Sequence, residues 1–337
     1  MRAIGYQTCL PTEDPAALVD IELAAPEPSG RDLLVEVRAV SVNPVDTKVR
    51  RKTGPDVGTW KVLGWDAAGV VVAVGPDAAL FKPGDAVFYA GALDRSGTNA
   101  ELHLVDERIV GRKPTSLNWS EAAALPLTVI TAWEALFDRL DVHRCVPGAA
   151  PSILIIGGAG GVGSIAIQLA RRLSRLTVVA TASRPETQKW AHDLGAHYVV
   201  DHSAPLAGQL NKLSLGAPAF VFSTTNTAAH LSQIAEIIAA QGRLALIDDP
   251  ENLEISALKR KSVSVHWEFM FTRSLFQTAD MARQGELLNE VARLIDAGAV
   301  RTTLARSFKP INAKNLRQAH ALIESGRAMG KIVLEGF

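Results

Sequence analysis

Gly158-x-Gly160-x-x-Gly163 is the spacing with the most chemical content in this chain. It lies between an apolar run at residues 153–156 and a segment, residues 164–173, that leaves with helical periodicity. One glycine of such a group makes a tight turn, one lets backbone N–H groups approach a pyrophosphate, and one lets helix and strand pack closely. Ala159, Gly161 and Val162 complete the turn. An anion there would sit at a helix N-terminus, where orphan N–H groups and the macrodipole favour negative charge. The competing reading is a glycine-rich turn without a ligand.

A second group follows the next apolar run. Where a carboxylate would hold the 2′-hydroxyl of an NAD ribose, the chain reads Ser183-Arg184-Pro185-Glu186. A guanidinium forms charge-assisted bonds to phosphate, so Ser183 and Arg184 favour NADPH over NADH. Glu186 is the competing feature, because a shift of one or two residues would bring it to the ribose. Ser183 reads equally as the N-cap of a helix starting at Pro185, Arg184 as a solvated charge, and Lys189 either as a phosphate ligand or as a solvent-facing helix position. No Ser/His/Asp arrangement, paired carboxylates or phosphate loop with lysine accompanies these groups.

The elements that position them change grammar along the chain. Residues 1–124 read as mostly β, with strands at 33–42, 69–74 and 86–89 between Gly/Pro turns. A helix-forming stretch, 121–137, is interrupted by Pro126. From Ile153 strands and helices alternate: strands at 177–181, 198–200, 219–222, 243–247 and 263–265, helices at 185–194 and 228–240. That order implies right-handed crossovers and a doubly wound parallel sheet. A helix at 280–297 and a strand at 331–334 then return to the N-terminal part. The domains are therefore expected at 1–124, 125–266 and 267–337, the last completing the first.

Composition sets the class. The chain has 337 residues, 47% hydrophobic and 21% charged, with Lys+Arg and Asp+Glu equal at 35 each. No basic cluster is longer than three residues, as in Lys259-Arg260-Lys261, which gives no reason to expect nucleic acid or an anionic membrane as partner. Residues 152–170 lack charge over nearly the length of a bilayer span, but five glycines and a one-sided stripe favour a buried strand and helix. The N-terminal residues lack a signal-peptide core, so a cytoplasmic location is expected. Two cysteines, Cys9 and Cys145, give neither a disulfide framework nor a Cys-rich zinc site.

The order of motifs resembles a known superfamily. Ser41-Val-Asn-Pro-Val-Asp-Thr-Lys48, Gly64-Trp-Asp-Ala-Ala-Gly69, Phe81-Lys-Pro-Gly-Asp-Ala-Val87 and Leu125-Pro-Leu-Thr-Val-Ile-Thr-Ala-Trp133 precede the glycine turn. Together they resemble the medium-chain dehydrogenases/reductases, close to their zinc-free quinone oxidoreductase branch. The resemblance implies an α/β protein with a GroES-like, β-rich catalytic domain and a Rossmann domain, assembled as a homodimer or homotetramer. It departs from the zinc alcohol dehydrogenases: Trp65 stands where their Gly-His-Glu motif has histidine, and the four-cysteine lobe is missing. A catalytic zinc normally takes three protein ligands and an open position, so no metal is expected.

Site residues follow from the resemblance. It places His202 and Ile247 near the cofactor and Lys331 near a phosphate or a structural carboxylate. Asn43 reads as a partner of the nicotinamide ribose or substrate oxygen, or as a turn residue before Pro44; Thr128 reads as a neighbour of the nicotinamide or a helix-cap hydroxyl. Trp65, Tyr89, Phe269 and Phe271 are candidate pocket walls, with Tyr89 also a candidate proton donor; core packing or a subunit interface are the other readings. The expected activity is NADPH-dependent reduction of a quinone or an α,β-unsaturated carbonyl compound, without a metal. The alternatives are a zinc-dependent carbonyl reductase and an NADPH-binding sensor with little turnover.

Overall fold

The computed structural model describes residues Met1–Phe337. Two compact units emerge, one of residues 1–130 with 271–337 and one of residues 131–270. Sequence placed the boundaries at 124 and 266. The helix-forming stretch divides at Pro126 into Trp119–Ala123 and Pro126–Trp133, and the proline opens the second helix, where its missing N–H costs nothing. That helix, Pro126–Trp133, runs across the division.

The first unit supplies β1 (Arg2–Tyr6), β2 (Val19–Glu22), β3 (Asp32–Val42), β4 (Lys61–Val62), β5 (Ala67–Val74), β6 (Ala86–Tyr89), β7 (Leu102–Asp106) and β8 (Val110–Arg112). The second contributes β9 (Ala150–Ile156), β10 (Thr177–Thr181), β11 (Tyr198–Val200), β12 (Pro218–Ser223), β13 (Arg243–Leu246) and β14 (Ser264–Trp267). The first unit then resumes with β15 (Leu304–Phe308) and β16 (Lys331–Glu335). Five early strands, β1, β2, β4, β7 and β8, went unread because they are short and lack a sustained period-two pattern.

In the first unit a seven-stranded sheet centres on β3, which pairs antiparallel with β5, β7 and β16. The C-terminal strand thus completes the N-terminal sheet through Ile332↔Val42 and Leu334↔Val40. Alternation along β3 places Leu33, Val35, Val37 and Ala39 in the core.

In the second unit six parallel strands lie in the order β11-β10-β9-β12-β13-β14. This is the doubly wound order whose ligands bind beyond the carboxyl ends of the strands. Ile153, Leu154, Ile155 and Ile156 are fully buried in the central strand, which explains the uncharged run without a membrane. No helix is long and apolar enough to cross one.

Candidate functional site

The glycine turn begins where β9 ends. Gly157, φ +80°, makes the tight turn, one residue ahead of the three-glycine spacing that sequence read. A Cβ on Gly163 would stand 2.2 Å from the Gly157 carbonyl oxygen, so only glycine lets the following helix, Gly161–Leu173, rest on the turn. Gly160 differs: a Cβ there would meet nothing nearer than 3.5 Å, so packing within the protein does not demand glycine. Gly160 is also the N-cap of that helix and offers no side chain. The first-turn N–H groups of Gly161, Val162 and Gly163 therefore lack intrahelical acceptors and form an anion cradle with the positive end of the helix dipole.

A threonine missed in the sequence fastens this turn. Thr181 Oγ1, at the end of β10, accepts the Gly157 N–H at 3.0 Å and lies 3.0 Å from His202 Nδ1. With one lone pair given to Gly157, the hydroxyl keeps both its hydrogen and a second lone pair for His202, so the contact holds the imidazole beside the turn with either ring tautomer. The only signal in sequence was a hydroxyl residue at a strand's last position, which is too common to single out.

Just beyond β10, Arg184 and not Ser183 occupies the N-cap of the helix Pro185–Asp193. Its Nε pairs with Glu186 at 2.9 Å, so the two competing readings of this tip are partners in space. Lys189 is bound one turn on to Asp193 at 2.6 Å, a solvent-facing helix pair. Ile247 follows β13, next to Asp248, which accepts the Thr227 N–H at 2.7 Å. The carboxyl edge of the parallel sheet thus brings together Gly158, Ala159, Gly160, Gly161, Val162, Gly163, Ser183, Arg184, His202 and Ile247. Lys331 is not among them; it belongs to the first unit.

In that unit Lys331 serves a buried carboxylate. Its ammonium donates to Asp66 Oδ2 at 3.0 Å, to the Val42 carbonyl at 3.1 Å and to Asn43 Oδ1. All three donors are committed. Lysine can only donate, so the Asn43 atom facing it must be oxygen, and Nδ2 then faces Asp66 Oδ2 at 2.8 Å. The other Asp66 oxygen accepts the Leu127 N–H at 2.7 Å, an orphan donor in the first turn of the helix Pro126–Trp133. One carboxylate therefore joins β16, the start of β5 and two helix N-termini. Asp46 completes the junction by accepting the Asn43 N–H at 2.7 Å as the third residue of the helix Pro44–Lys52.

Asn43, Asp46, Asp66 and Lys331 are all buried, and two carboxylates face one ammonium. Burial pushes Asp46 up to about 7, with the Asn43 N–H and Lys331 opposing and Asp66 adding. Desolvation also raises Asp66, against the pull of Lys331 and its hydrogen bonds. The junction near neutral pH therefore tends to hold a proton. Asn43 keeps one lightly used donor, an Nδ2–H whose contact to the Ser41 carbonyl is a long 3.5 Å.

The aromatic candidates are placed differently from one another. Trp65 is buried, donates Nε1–H to the Ala92 carbonyl at 3.1 Å and meets the edge of Phe271 at 6.1 Å between centroids. Phe271 is buried as well, whereas Phe269, in the second unit, is 47% exposed. Tyr89 is fully buried and its hydroxyl lies 3.0 Å from His103 Nδ1. His103 Nε2 faces the Ser96 carbonyl at 2.9 Å, which can only accept, so Nε2 carries the proton and Tyr89 donates to Nδ1. That hydrogen is spent, and burial raises the phenol further above its ordinary value. In this structure Tyr89 packs in the core and directs its hydroxyl at His103. Thr128 is buried and its hydroxyl donates to the Leu125 carbonyl at 3.0 Å, a bond within the first turn of its helix and not a cap, which would accept a backbone N–H.

Comparison with known proteins gives a consistent picture. The alcohol dehydrogenase GroES-like domain family matches residues 29–115 and the zinc-binding dehydrogenase family matches 194–334. A zinc-type alcohol dehydrogenase-like protein of Staphylococcus aureus (strain MSSA476) is 40% identical over 336 residues, covering 99% of each chain. Among solved structures, a putative zinc-dependent alcohol dehydrogenase from Rhizobium etli CFN 42 is 66% identical with TM-score 0.99, covering 100% of this chain and 98% of that one. A quinone oxidoreductase from Coxiella burnetii is 25% identical, TM-score 0.81, covering 100% and 99%. A mycobacterial protein complexed with NADPH is likewise 25% identical, TM-score 0.82, covering 99% and 100%.

The zinc in these names can be tested against the residues. Nowhere do three His, Cys, Asp or Glu side chains converge. Cys9 and Cys145 lie in different units, Trp65 offers only an N–H, and Asp66 is held on both oxygens by Lys331, Asn43 and Leu127. This donor set does not fit a catalytic zinc.

Proposed function

Since the chain belongs to the zinc-type alcohol dehydrogenase-like proteins of the medium-chain dehydrogenase/reductase superfamily, a family of oxidoreductases, we propose that it reduces quinones or α,β-unsaturated carbonyl compounds with NADPH and without a metal. The observation that carries the reading is the glycine turn with three orphan N–H groups on the same sheet edge as Arg184. Those N–H groups hold the pyrophosphate, and Arg184 with Ser183 holds the 2′-phosphate, which then competes with Glu186 for the guanidinium. Bound NADPH supplies the hydride.

The acceptor class follows from the donor set of the first unit. With Asp66 given over to Lys331, charge on an isolated carbonyl lacks a Lewis acid of the kind zinc supplies. A conjugated acceptor spreads the arriving charge onto an oxygen that needs only a hydrogen-bond donor and a proton from water. Asn43 Nδ2–H is the donor we assign to the ribose or substrate oxygen, because the rest of its amide is held still by Lys331 and Asp66. Thr128 beside the nicotinamide remains part of this reading, as does homo-oligomerisation, which suits the exposure of Trp267 at 54% and Phe269 at 47%.

The test is NADPH oxidation against a panel of quinones, enones and simple aldehydes, with and without chelator, paired with titrations of NADPH and NADH. Turnover of quinones or enones that ignores chelator is expected, with Arg184→Ala weakening NADPH about tenfold and leaving NADH unchanged. Chelator-sensitive aldehyde turnover would instead favour zinc chemistry, and binding without turnover a sensor.

A further inference from the structure

A groove of about 440 Å³ opens in the second unit between Arg144, Cys145, Gln241, Arg243, Ser262 and Ser264. Its place in the fold separates it from the glycine turn. Arg243 and Ser264 are the first residues of β13 and β14, and residues 144–147 lead into β9, so the groove lies at the amino ends of the strands. The turn lies beyond their carboxyl ends, a strand length of roughly 20 Å away at about 3.3 Å per residue. The volume is in the range of small-molecule sites.

The lining is cationic and rich in unspent side-chain donors. Arg144 is exposed and has no carboxylate partner, and the hydroxyls of Ser262 and Ser264 and the Gln241 amide bond no protein atom. Arg243 uses Nη1 on the Leu140 and Asp141 carbonyls at 2.6 and 2.8 Å, which fixes the fork while Nε and Nη2 stay available. The one nearby carboxylate, Asp141, stands 4.0 Å from Arg243. The run Lys259-Arg260-Lys261 leads directly into Ser262 and adds positive charge, although Lys261 itself caps the Glu236 and Ile238 carbonyls. The backbone is already stapled: Gln241 N–H donates to Lys261 and Ser264 N–H to Gly242, so recognition falls to side chains.

We propose that this groove binds a phosphate-bearing anion, a phosphate monoester whose phosphate is held by Arg144, Arg243 and the two serine hydroxyls. A guanidinium fork with flanking hydroxyls is the donor geometry that phosphate oxygens satisfy best. The volume exceeds what a lone phosphate fills, which leaves room for the organic part of an ester.

The groove contains its own reporter, the exposed thiol of Cys145, and the half-buried Cys9 of the other unit serves as internal reference. The experiment follows alkylation of both thiols by iodoacetamide, a neutral reagent, with peptide mass spectrometry. Inorganic phosphate, glycerol 3-phosphate and succinate are compared, each against potassium chloride at matched ionic strength. Cys145 is expected to react faster than Cys9 without additions and to slow at least about threefold with either phosphate compound, glycerol 3-phosphate acting at the lower concentration. Arg144→Gln, an exposed substitution that leaves the fold intact, should raise the protecting concentration about tenfold. Protection by inorganic phosphate alone would overturn the monoester assignment, and protection by succinate alone the phosphate assignment. Equal rates with phosphate and chloride, or a Cys145 no more reactive than Cys9, would overturn the site.

Discussion

Asp46 offers the sharpest test of the buried junction. Its carboxyl is raised from 3.8 to about 7, chiefly by burial, while in the unfolded chain it titrates near its ordinary value. Between those values the folded protein holds a proton that the unfolded chain has released. Stability from this group is therefore present at low pH and lost as pH rises through about 7, with a slope of about −1.4 kcal/mol per pH unit in between. From pH 5 to pH 8 the loss amounts to about 3 kcal/mol. Asp46→Asn keeps the acceptor for the Asn43 N–H and removes the titration. Urea unfolding of both proteins at pH 5, 6, 7 and 8 isolates this junction, because titrations outside it are common to the pair. The variant should gain on wild type by about 3 kcal/mol across that range and level off above pH 8. A constant difference between the two would mean that Asp46 is already ionised in the folded protein at pH 5, and the assignment of the extra proton to this junction would fail.

Other consequences follow from the same geometry. Lys331→Met removes the ammonium from Asp66 and should cost about 3–5 kcal/mol by denaturant unfolding, with a second change, Asp66→Asn, recovering part of it. Gly163→Ala places a methyl against the Gly157 carbonyl; calorimetry should show dinucleotide binding weakened severely, and stability lowered by about 1–3 kcal/mol. Tyr89→Phe leaves His103 Nδ1 without its donor, so a stability loss of about 1–3 kcal/mol should accompany turnover within about twofold of wild type. A collapse of turnover at unchanged fold would restore Tyr89 as the proton donor.

The parts of the molecule that sequence disclosed are those whose physics is local. β10 and β11 were read at their observed ends because a short β-branched run between turn signals leaves few alternatives. The glycine turn was legible for the same reason, although its positive φ fell on Gly157. Pro126 was read as an interruption, and the stretch does divide there, but proline signals helix starts as well as breaks, and only its neighbours in space show that it opens the second helix. Here Asp66 takes the Leu127 N–H, which makes a helix start favourable at that proline. Arg184 and Glu186 were weighed as rivals for one ribose, yet a helix first turn places them in contact, an outcome that side-chain direction settles and residue order does not.

The junction around Asp66 was the least legible feature, and the reason bears on function. Its members stand at positions 43, 46, 66, 127 and 331, and each has an ordinary local explanation: a turn asparagine, a helix-start aspartate, a lysine at a strand's beginning. Only the pairing of β16 with β3 delivers Lys331 to Asn43, and that contact joins residues nearly the whole chain apart. Once there, an ammonium with all three hydrogens committed leaves a single allowed orientation of the asparagine amide. A residue that reads as a mere turn former becomes a preorganised donor, because the groups that would otherwise let it rotate are fixed by a buried charge pair. The same ammonium answers the carboxylate that would be asked to serve a metal. Orientation of Asn43 and unsuitability for zinc are therefore two results of one arrangement, and a change that freed Asp66 from Lys331 would disturb both together.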